Sequence, residues 1–238
     1  MLANVYLNEF DRELEARGLR FTRYADDCII CVRSEVAANR VMHSVTNWLE
    51  KHLRVKVNAT KTKVARPDQC KYLGYTFYWK DGKWRPKPHI KSIQKLKSNL
   101  EPLLRRNWGV SLKYRIEKIN QVTRGWLNYF RLGEGMKGVL RELDKKIRIH
   151  LRMILWKQWK TIRNRANHLY YLNPRHLRFN KVALRTECWK LANSRKGYYR
   201  IGRILSTWIP NSLLKQEGLV NLEEYHNNLA IQLHMSIC

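Results

Sequence analysis

Residues 20–32 read RFTRYADDCIICV, and this stretch decides how the first third of the chain folds. Two runs rich in β-forming residues, Arg20–Tyr24 and Cys28–Val32, flank the short turn Ala25-Asp26-Asp27. Two such runs separated by a tight turn predict an antiparallel hairpin. A hairpin of this kind presents its two adjacent carboxylates on a rigid element.

Helices and further short strands are expected around the hairpin. Residues 2–17 predict a helix that ends at Gly18, a natural left-handed stop. Ser34 can cap a second helix that continues to about Lys51. The remaining β-type runs are residues 54–57, residues 61–64, and a second hairpin over residues 72–85 that turns at Asp81-Gly82.

The pattern changes after Pro86 and Pro88. Apolar residues recur there at helical spacing in three stripes, over residues 90–104, 112–130 and 139–155, with lysine and arginine between them. The last third is less periodic and richer in aromatic residues, so we expect a smaller mixed region there. The sequence therefore predicts an α+β fold, in which helices and antiparallel hairpins precede a basic α-helical bundle.

The charge of the chain is strongly positive and unevenly distributed. Lysine and arginine number 47 against 19 aspartate and glutamate residues, and residues 80–165 alone carry 24 against 6. The formal net charge of +28 indicates a polyanionic partner, either nucleic acid or an acidic membrane surface. We expect no membrane partner, because no apolar run approaches the ~18–20 residues that a membrane span needs. The N-terminus also has no secretory pattern.

The cysteines favour a reduced, cytoplasmic location. There are five, too few and too scattered for a disulfide scaffold. Cys28-x-x-Cys31 falls in a predicted strand, where positions i and i+3 point to opposite faces. We therefore interpret this pair as core cysteines and not as half of a metal site.

The acidic turn suggests a chemistry for the hairpin. Two carboxylates can hold two Mg²⁺ ions about 3.5–4 Å apart, one activating an attacking 3′ oxygen and one stabilising the leaving pyrophosphate. The alternative is an Asp-Asp turn that serves turn propensity and solubility. Residues Tyr24 to Asp27 alone leave both interpretations open.

Several blocks together resemble one family. Residues 2–11 (LANVYLNEFD) followed by 21–27 (FTRYADD) resemble the palm of group II intron reverse transcriptases. The blocks at residues 58–63 (NATKTK) and 72–75 (YLGY) are similar to the next two palm blocks of that family. TRGWLNYF at residues 123–130 is similar to the maturase-specific domain X, which forms the thumb, and ANSRKGYYR at 192–200 is similar to bacterial members. The resemblance spans nearly the whole chain.

The resemblance implies a catalytic role for the hairpin. Asp26 would be the principal ligand of Mg²⁺ in a two-metal site, and Asp27 its acidic neighbour. Tyr24 and Ala25 would lie beside the primer terminus or the incoming nucleotide.

Two further blocks are implied to contact the primer or substrate. Lys61 and Lys63 match a block near the active site, where they either meet phosphate or lie on a solvated strand edge. Leu73 and Gly74 match the block that supports the primer strand. Gly74 either lets a nucleic-acid backbone approach closely or marks a bulge.

The basic helices are the expected site of RNA binding, because cations displace counterions from phosphates. The candidate RNA-binding residues are Lys91, Lys95, Arg105, Arg106, Arg124, Lys145, Arg148, Arg152, Lys157 and Arg163. The interleaved aromatic residues Trp108, Trp126, Tyr129, Trp156 and Trp159 could stack on unpaired bases, but we expect most of them to be core.

The resemblance also implies a domain organisation. Residues 1–85 would be the C-terminal part of the palm, 86–165 the thumb or domain X, and 166–238 a C-terminal extension of the maturase region. The family's palm needs another aspartate on an earlier strand and a preceding fingers region. We therefore expect negligible polymerase activity from this chain alone, and an N-terminal palm and fingers fragment acting in trans is one way to complete it. A DNA endonuclease domain is not expected.

Three functions remain open at this point. The first is RNA-templated DNA synthesis from dNTPs on a DNA primer or target, in the complete protein, together with binding and splicing of group II intron RNA. The second is an RNA-binding splicing factor without polymerase activity, and the third is a truncated inactive remnant. A retron or other reverse transcriptase fits less well, because the RGWLNY block and the long helical thumb favour the intron family. In each active case the expected location is a ribonucleoprotein in bacterial cytoplasm.

Overall fold

Two antiparallel hairpins and eleven α-helices make up residues 2–172 and 181–235, the part of the chain that the computed structural model describes. The chain divides into two compact units, Met1–Pro86 and Lys87–Cys238. Helices combined with small antiparallel sheets confirm the α+β class predicted from the sequence. None of the described helices is long and apolar enough to cross a membrane.

The first unit contains three helices, a short 3-10 turn and both hairpins. In chain order the elements are α1 Leu2–Tyr6, α2 Asn8–Ala16, β1 Arg20–Tyr24, β2 Asp27–Cys31, α3 Glu35–His52, the 3-10 turn Pro67–Gln69, β3 Tyr75–Lys80 and β4 Lys83–Pro88, whose last two residues belong to the second unit. β1 pairs with β2 and β3 pairs with β4, so each sheet has two strands.

Local chemistry sets the ends of α2 and α3 as the sequence predicts. Gly18 adopts a φ of +64°. Its N–H donates to the Glu15 carbonyl at 2.8 Å, and the Leu19 N–H reaches the Leu14 carbonyl at 3.0 Å. These paired bonds satisfy the last carbonyls of α2. At the start of α3, the Ser34 hydroxyl oxygen accepts a hydrogen bond from the Ala37 N–H at 3.2 Å.

The core of the first unit is small and lies between α2 and α3. Phe10 and Leu14 of α2 are buried against Val45 of α3 and Leu53 just beyond it. Trp48 of α3 is half-buried, and its ring centroid lies 6.3 Å from that of Phe10. These contacts fix the helix that precedes β1 and so fix the base of the first hairpin.

Three sequence predictions for the first unit are wrong in part. Residues 54–57 and 61–64 form no strand, because the Asn58 side chain instead accepts the N–H groups of Thr60 and Lys61 at 3.0 and 3.2 Å in a local turn. The helix expected over residues 2–17 is interrupted at Leu7. Cys31, expected in the core, is exposed.

The second unit is helical throughout its described residues. Its helices are α4 Ile90–Leu104, α5 Leu112–Tyr129, α6 Lys137–Gln158, α7 Ile162–Leu172, α8 Lys181–Ala192, α9 Tyr198–Trp208, α10 Asn211–Gln216 and α11 Leu222–Met235. The first three coincide with the three predicted apolar stripes, which are thereby confirmed. The prediction of a mixed region in the last third is wrong for the described residues, because these form helices.

Helix α6 contributes to both buried clusters of the second unit. Its residues Ile147 and Leu151 belong to a cluster formed with α4, α5 and residues near α10 and α11. Its residues Met153 and Trp156 belong to a cluster formed with α7, α8 and α9. A single long helix therefore runs through both parts of the core.

Buried polar side chains join the C-terminal segment to α5 and α6. The Asn120 amide of α5 donates to the Gly218 carbonyl at 2.7 Å and accepts from the Val220 N–H at 3.1 Å. Asp144 of α6 accepts from the Leu222 N–H at 3.2 Å. Leaving such buried groups unpaired costs about 1–3 kcal/mol each, so these bonds specify where the segment packs.

Candidate functional site

The first hairpin ends in a two-residue turn made by Ala25 and Asp26. Tyr24 and Asp27 face each other as the last residue pair of the ladder. Ala25 has a φ of +53°, whereas Asp26 is not among the residues with positive φ. Positive φ at the first turn position only is the pattern of a type II′ turn, which matches the twist of a hairpin. Both aspartates are exposed, so their carboxylates are open to a ligand.

Arg23 holds this turn against α2. Its guanidinium donates to the Asp11 carboxylate at 2.7 Å and to the Ala25 carbonyl at 2.7 Å. Arg23 also donates to the Asn4 side-chain oxygen at 3.1 Å. The hydrogen bonds to Asp11 raise the pKa of Arg23 further above its usual value. Arg23 was not predicted from the sequence, although its place beside the acidic turn in β1 was a signal.

The hairpin carboxylates fit a partial magnesium site. Asp26 and Asp27 are adjacent, exposed oxygen donors, and Mg²⁺ is commonly held by one or two carboxylates together with water and substrate phosphates. Asp11 of α2 is engaged by Arg23 in an ion pair. Within residues 2–172 and 181–235 no group of three or more His, Cys, Asp or Glu side chains is arranged to hold a metal ion.

Leu73 and Gly74 form a second tight turn in the first unit. Their φ values are +48° and +80°. Tyr72 and Tyr75 exchange backbone hydrogen bonds of 3.0 and 2.8 Å across the turn. Positive φ at both positions is typical of a type I′ turn, which accounts for Gly74 without a bulge. The Tyr72 hydroxyl donates to the Thr22 carbonyl of β1 at 3.3 Å and thus brings this turn beside the aspartate hairpin.

Lys61 and Lys63 lie on the exposed loop that precedes the 3-10 turn. The Lys63 ammonium donates to the Gln69 carbonyl at 3.4 Å. Among the residues that the structure describes, neither lysine side chain forms a hydrogen bond or ion pair with the aspartate hairpin. The structure therefore places the Leu73-Gly74 turn near the hairpin but provides no such link for the two lysines.

Most of the predicted RNA-binding cations are on the surface of the second unit. The exposed members of the set are Lys91, Lys95, Arg105, Arg106, Arg124, Lys145, Lys157 and Arg163. Arg148 is half-buried and forms an ion pair of 3.3 Å with Asp144, so it is only partly available.

Arg152 is a correction to the predicted RNA-binding set, because the fold buries it. Its side chain donates to the Ile209 carbonyl at 2.9 Å and to the Asn211 side-chain oxygen at 2.7 Å. Only 3% of the residue is exposed, and burial lowers its pKa to about 10. Arg152 therefore joins α6 to the α9–α10 connection and is not offered to a ligand.

Arg115 is a second buried cation, and it was not predicted from the sequence. Its guanidinium donates to the carbonyls of Leu103, Arg105 and Trp108, and it lies 4.8 Å from the Trp108 ring centroid. The Leu103 carbonyl belongs to the last turn of α4 and the other two follow it, so the guanidinium lies at a helix C-terminus, where a cation is electrostatically favoured. Its position beside Ile116 on the apolar face of α5 was the available signal.

The interleaved aromatic residues are mostly part of the core, as predicted. Trp156 and Trp159 are buried. Trp126 packs against the first cluster, and Trp108 lies under Arg115. Tyr129 differs from the others because it is 57% exposed.

Comparison with known protein families gives two matches, and they divide the chain much as the structure does. Residues 1–77 match the reverse transcriptase (RNA-dependent DNA polymerase) family. Residues 93–171 match the group II intron, maturase-specific domain. No individual protein of curated function matches the chain. The reverse transcriptase match precedes the maturase-specific match in one chain, and the chain belongs to the group II intron reverse transcriptase/maturase family.

Proposed function

We propose that the second unit binds the RNA of a group II intron through the exposed cations of its helices and assists the splicing of that RNA. One observation carries this proposal. The eight exposed members of the predicted RNA-binding set, named above, form no ion pair with a described residue. Cations without carboxylate partners in a chain of net charge +28 favour a polyanion as the ligand.

The match to the maturase-specific domain supports RNA as that polyanion, because it covers residues 93–171, where all of these cations except Lys91 lie. The uneven charge supports it as well. Solubility alone needs a net charge of about 2–8 in a small domain. Residues 80–165 carry 24 cationic against 6 acidic side chains, and the difference, a net charge of +18, far exceeds that requirement.

Binding as a function of salt concentration tests the proposal. The logarithm of the binding constant falls linearly with the logarithm of the salt concentration. Each phosphate contact contributes about −0.9 to this slope on duplex and about −0.7 on single-stranded nucleic acid. We expect a slope steeper than about −3 on a group II intron RNA transcribed from the DNA that flanks the reading frame. The purified chain should also accelerate splicing of that transcript at a magnesium concentration where the RNA alone reacts slowly. A shallow slope would contradict the proposed phosphate contacts.

A matched pair of variants sharpens the experiment. Lys91→Gln combined with Lys95→Gln removes two exposed cations of α4. Lys51→Gln combined with Lys71→Gln removes two exposed cations of the first unit and serves as the control. The first pair should reduce the magnitude of the slope by about 1.4–1.8, and the second should leave it nearly unchanged. Equal effects would indicate a response to net charge and not a surface on the second unit.

A second candidate function, nucleotidyl transfer, rests on the exposed Asp26-Asp27 turn. Reverse transcriptases are generally divalent-metal enzymes, and in a complete palm these carboxylates would hold Mg²⁺, which lowers the barrier for attack of a primer 3′ oxygen on a dNTP. The hairpin orients both carboxylates, since Arg23 fixes the turn that carries them. Tyr24 and Ala25 would lie beside the primer terminus, and the Leu73-Gly74 turn would support the primer strand.

Primer extension on an RNA template distinguishes the candidates. We expect negligible extension by the 238-residue chain alone and extension once a fragment that carries a further palm strand and fingers is supplied in trans. Asp26→Asn should then abolish extension while leaving RNA affinity unchanged. Robust extension by the chain alone would contradict the incomplete site, whereas a chain that neither binds intron RNA nor extends with the added fragment would be an inactive remnant.

A further inference from the structure

A pocket of about 360 Å³ lies within the second unit, where α4 and the residues after it meet α6 and the first turn of α9. That volume is within the range of sites that hold small organic molecules. Its floor is apolar, formed by residues such as Leu100, Leu104 and Leu143. The α9 part of its wall belongs to the ANSRKGYYR segment, whose role the proposed function does not explain.

The rim of the pocket is strongly positive. Four cations line it, Lys97, Arg105, Arg106 and Lys146, against one carboxylate, Glu101. Among the described residues none of these five side chains forms an ion pair. The backbone N–H groups that begin α9 add to this potential, since no side chain caps that helix. A phosphate group is the ligand that such a rim favours.

One wall of the pocket is aromatic. The His150 and Tyr198 ring centroids are 5.5 Å apart, and the Tyr198 hydroxyl lies 3.0 Å from His150 Nδ1. The Tyr199 ring stands nearly perpendicular to that of His150, with 6.3 Å between their centroids. Burial lowers the pKa of His150, and the nearby charges of Lys146 and Arg106 lower it as well. A hydrogen bond with the backbone of Leu104 acts in the opposite direction. The imidazole is therefore neutral at pH 7 and serves as an aromatic surface.

The two tyrosines differ in how much of each ring is available. Tyr198 is half-buried, bonded to His150 and covered by the Arg106 guanidinium at 4.9 Å from its ring centroid. Tyr199 is 57% exposed, and its hydroxyl forms no hydrogen bond with a described residue. Tyr198 thus builds the wall, whereas Tyr199 has ring surface left to contact a ligand.

Close packing of α9 on α6 sets the position of this wall. A Cβ atom added at Gly202 would lie 2.7 Å from Ile149 Cγ2, which real Cβ contacts do not allow. Gly202 is one helical turn after Tyr198, and Ile149 directly precedes His150. The glycine therefore lets α9 approach α6 closely enough for the tyrosine and histidine to meet.

We propose that this pocket accepts one unpaired, extruded nucleotide of the bound RNA, with its phosphate at the cationic rim and its base on Tyr199. The inference rests on the proposed function and names a specific contact within it. Bases in a duplex are stacked on one another and cannot enter a pocket, whereas unpaired bases stack on aromatic side chains. The pocket combines such a surface with unpaired cations, so it selects single-stranded RNA over duplex.

Two RNA probes of equal length test the proposal with the full 238-residue chain. One is a fluorescein-labelled single-stranded oligouridylate of ten nucleotides, and the other is a blunt ten-base-pair RNA duplex. Base stacking on an aromatic side chain contributes about 1–3 kcal/mol, so Tyr199→Ala should weaken single-strand binding about 5- to 150-fold. Duplex binding should stay within about twofold. Tyr199→Phe, which keeps the ring, should bind like the unaltered chain.

Matched controls separate the effect of this pocket from a general loss of an aromatic side chain or of positive charge. Tyr171→Ala removes an exposed tyrosine of α7 that does not line the pocket and should leave both affinities unchanged. Lys97→Gln with Lys146→Gln should reduce the single-strand salt slope by about 0.7, the contribution of the one phosphate at the rim. The same change at Lys113 and Lys190, exposed elsewhere on the unit, should not. Far-UV circular dichroism verifies that each variant is folded.

The outcomes distinguish the two proposals from each other. If the unaltered chain binds neither probe with steep salt dependence, the proposed function fails and this inference fails with it. If it binds both probes steeply but Tyr199→Ala matches it on both, or Tyr171→Ala loses as much, only the pocket proposal is overturned. Uridine 5′-monophosphate serves as competitor: competition at millimolar concentration supports an RNA-embedded nucleotide, and competition at micromolar concentration indicates a free-nucleotide site and overturns the proposal.

Discussion

Replacing Gly202 with alanine should destabilise the second unit, although the same change elsewhere in a helix is stabilising. Alanine is favoured over glycine in a helix interior by about 1 kcal/mol. At Gly202 the new methyl group would lie 2.7 Å from Ile149 Cγ2, well inside ordinary carbon–carbon contact, with Met153 Cγ at 3.5 Å. The branch of Ile149 cannot move aside easily, because a β-branched side chain in a helix has one strongly preferred rotamer.

The two effects have opposite signs, and the clash is the larger. Inserting a methyl group into a packed core typically costs about 1–3 kcal/mol, which exceeds the gain in helix propensity. We expect Gly202→Ala to lower the free energy of unfolding by up to about 2 kcal/mol. For a unit of this size that corresponds to a fall in melting temperature of up to about 8 °C.

Gly125→Ala is the matched control. Gly125 lies inside α5, about one turn before its C-terminal end, and a Cβ atom there would meet nothing within 4 Å. This variant should be more stable than the unaltered chain by about 0.5–1 kcal/mol. Urea unfolding followed by circular dichroism at 222 nm measures both variants. If Gly202→Ala were stabilised as much as Gly125→Ala, the close approach of α9 to α6 would be refuted, and with it the placement of Tyr198 against His150.

Three further predictions concern single side chains. Arg23→Met should destabilise the first unit by about 1–3 kcal/mol in urea unfolding, because it removes charged hydrogen bonds to the Asp11 carboxylate and to the turn that carries Asp26. Cys28 should be alkylated far more slowly than the exposed Cys31 at pH 8, because burial raises the pKa of Cys28 to about 11 and leaves little of it as thiolate. Peptide mapping after brief iodoacetamide treatment measures the two rates. Arg152→Met should lower stability without changing the salt slope of RNA binding, since this side chain is internal.

Each of these predictions has a control or a contradicting result. Arg17→Gln removes a surface ion pair with Glu13 of α2 and an exposed hydrogen bond to Ser44, and it should change stability by less than about 0.5 kcal/mol. Equal labelling of the two cysteines in the folded chain would contradict the packing of β2. Arg163→Gln, at an exposed cation, should reduce the salt slope by about 0.7–0.9 without loss of stability, the reverse of the result expected for Arg152.

Features that depend on neighbouring residues in the chain could be predicted from the sequence. The three apolar stripes of α4, α5 and α6 were identified because helical periodicity is a local pattern. The stop at Gly18, the cap at Ser34 and the turn at Asp81-Gly82 follow from the chemistry of one or two residues. The aspartate turn was also evident, since β-type runs flank it on both sides.

Features that depend on distant partners could not be predicted in the same way. Residues 54–57 and 61–64 have β-forming composition, but a strand exists only where another strand pairs with it. Arg152 was assigned to the surface because charge patterning does not reveal how many faces of a helix are covered. One face of α6 carries Ile149, Arg152 and Trp156. That face is covered by α9 and the residues after it, and this contact depends on the tertiary fold and not on the local sequence. The pocket beside Tyr199 likewise requires three helices to meet.

The long helix α6 has a mechanical consequence for the protein. It spans 22 residues, about 33 Å, and supplies side chains to both buried clusters of the second unit. Neither cluster can lose its structure without fraying a helix that the other one needs, so the unit should melt in a single cooperative step. Chain cleavage between α6 and α7 would then be expected to release two unstable pieces and not two folded fragments. Because α6 is one continuous helix, an RNA segment bound near its first turn would be held at a fixed distance from the protein surface around its last turn.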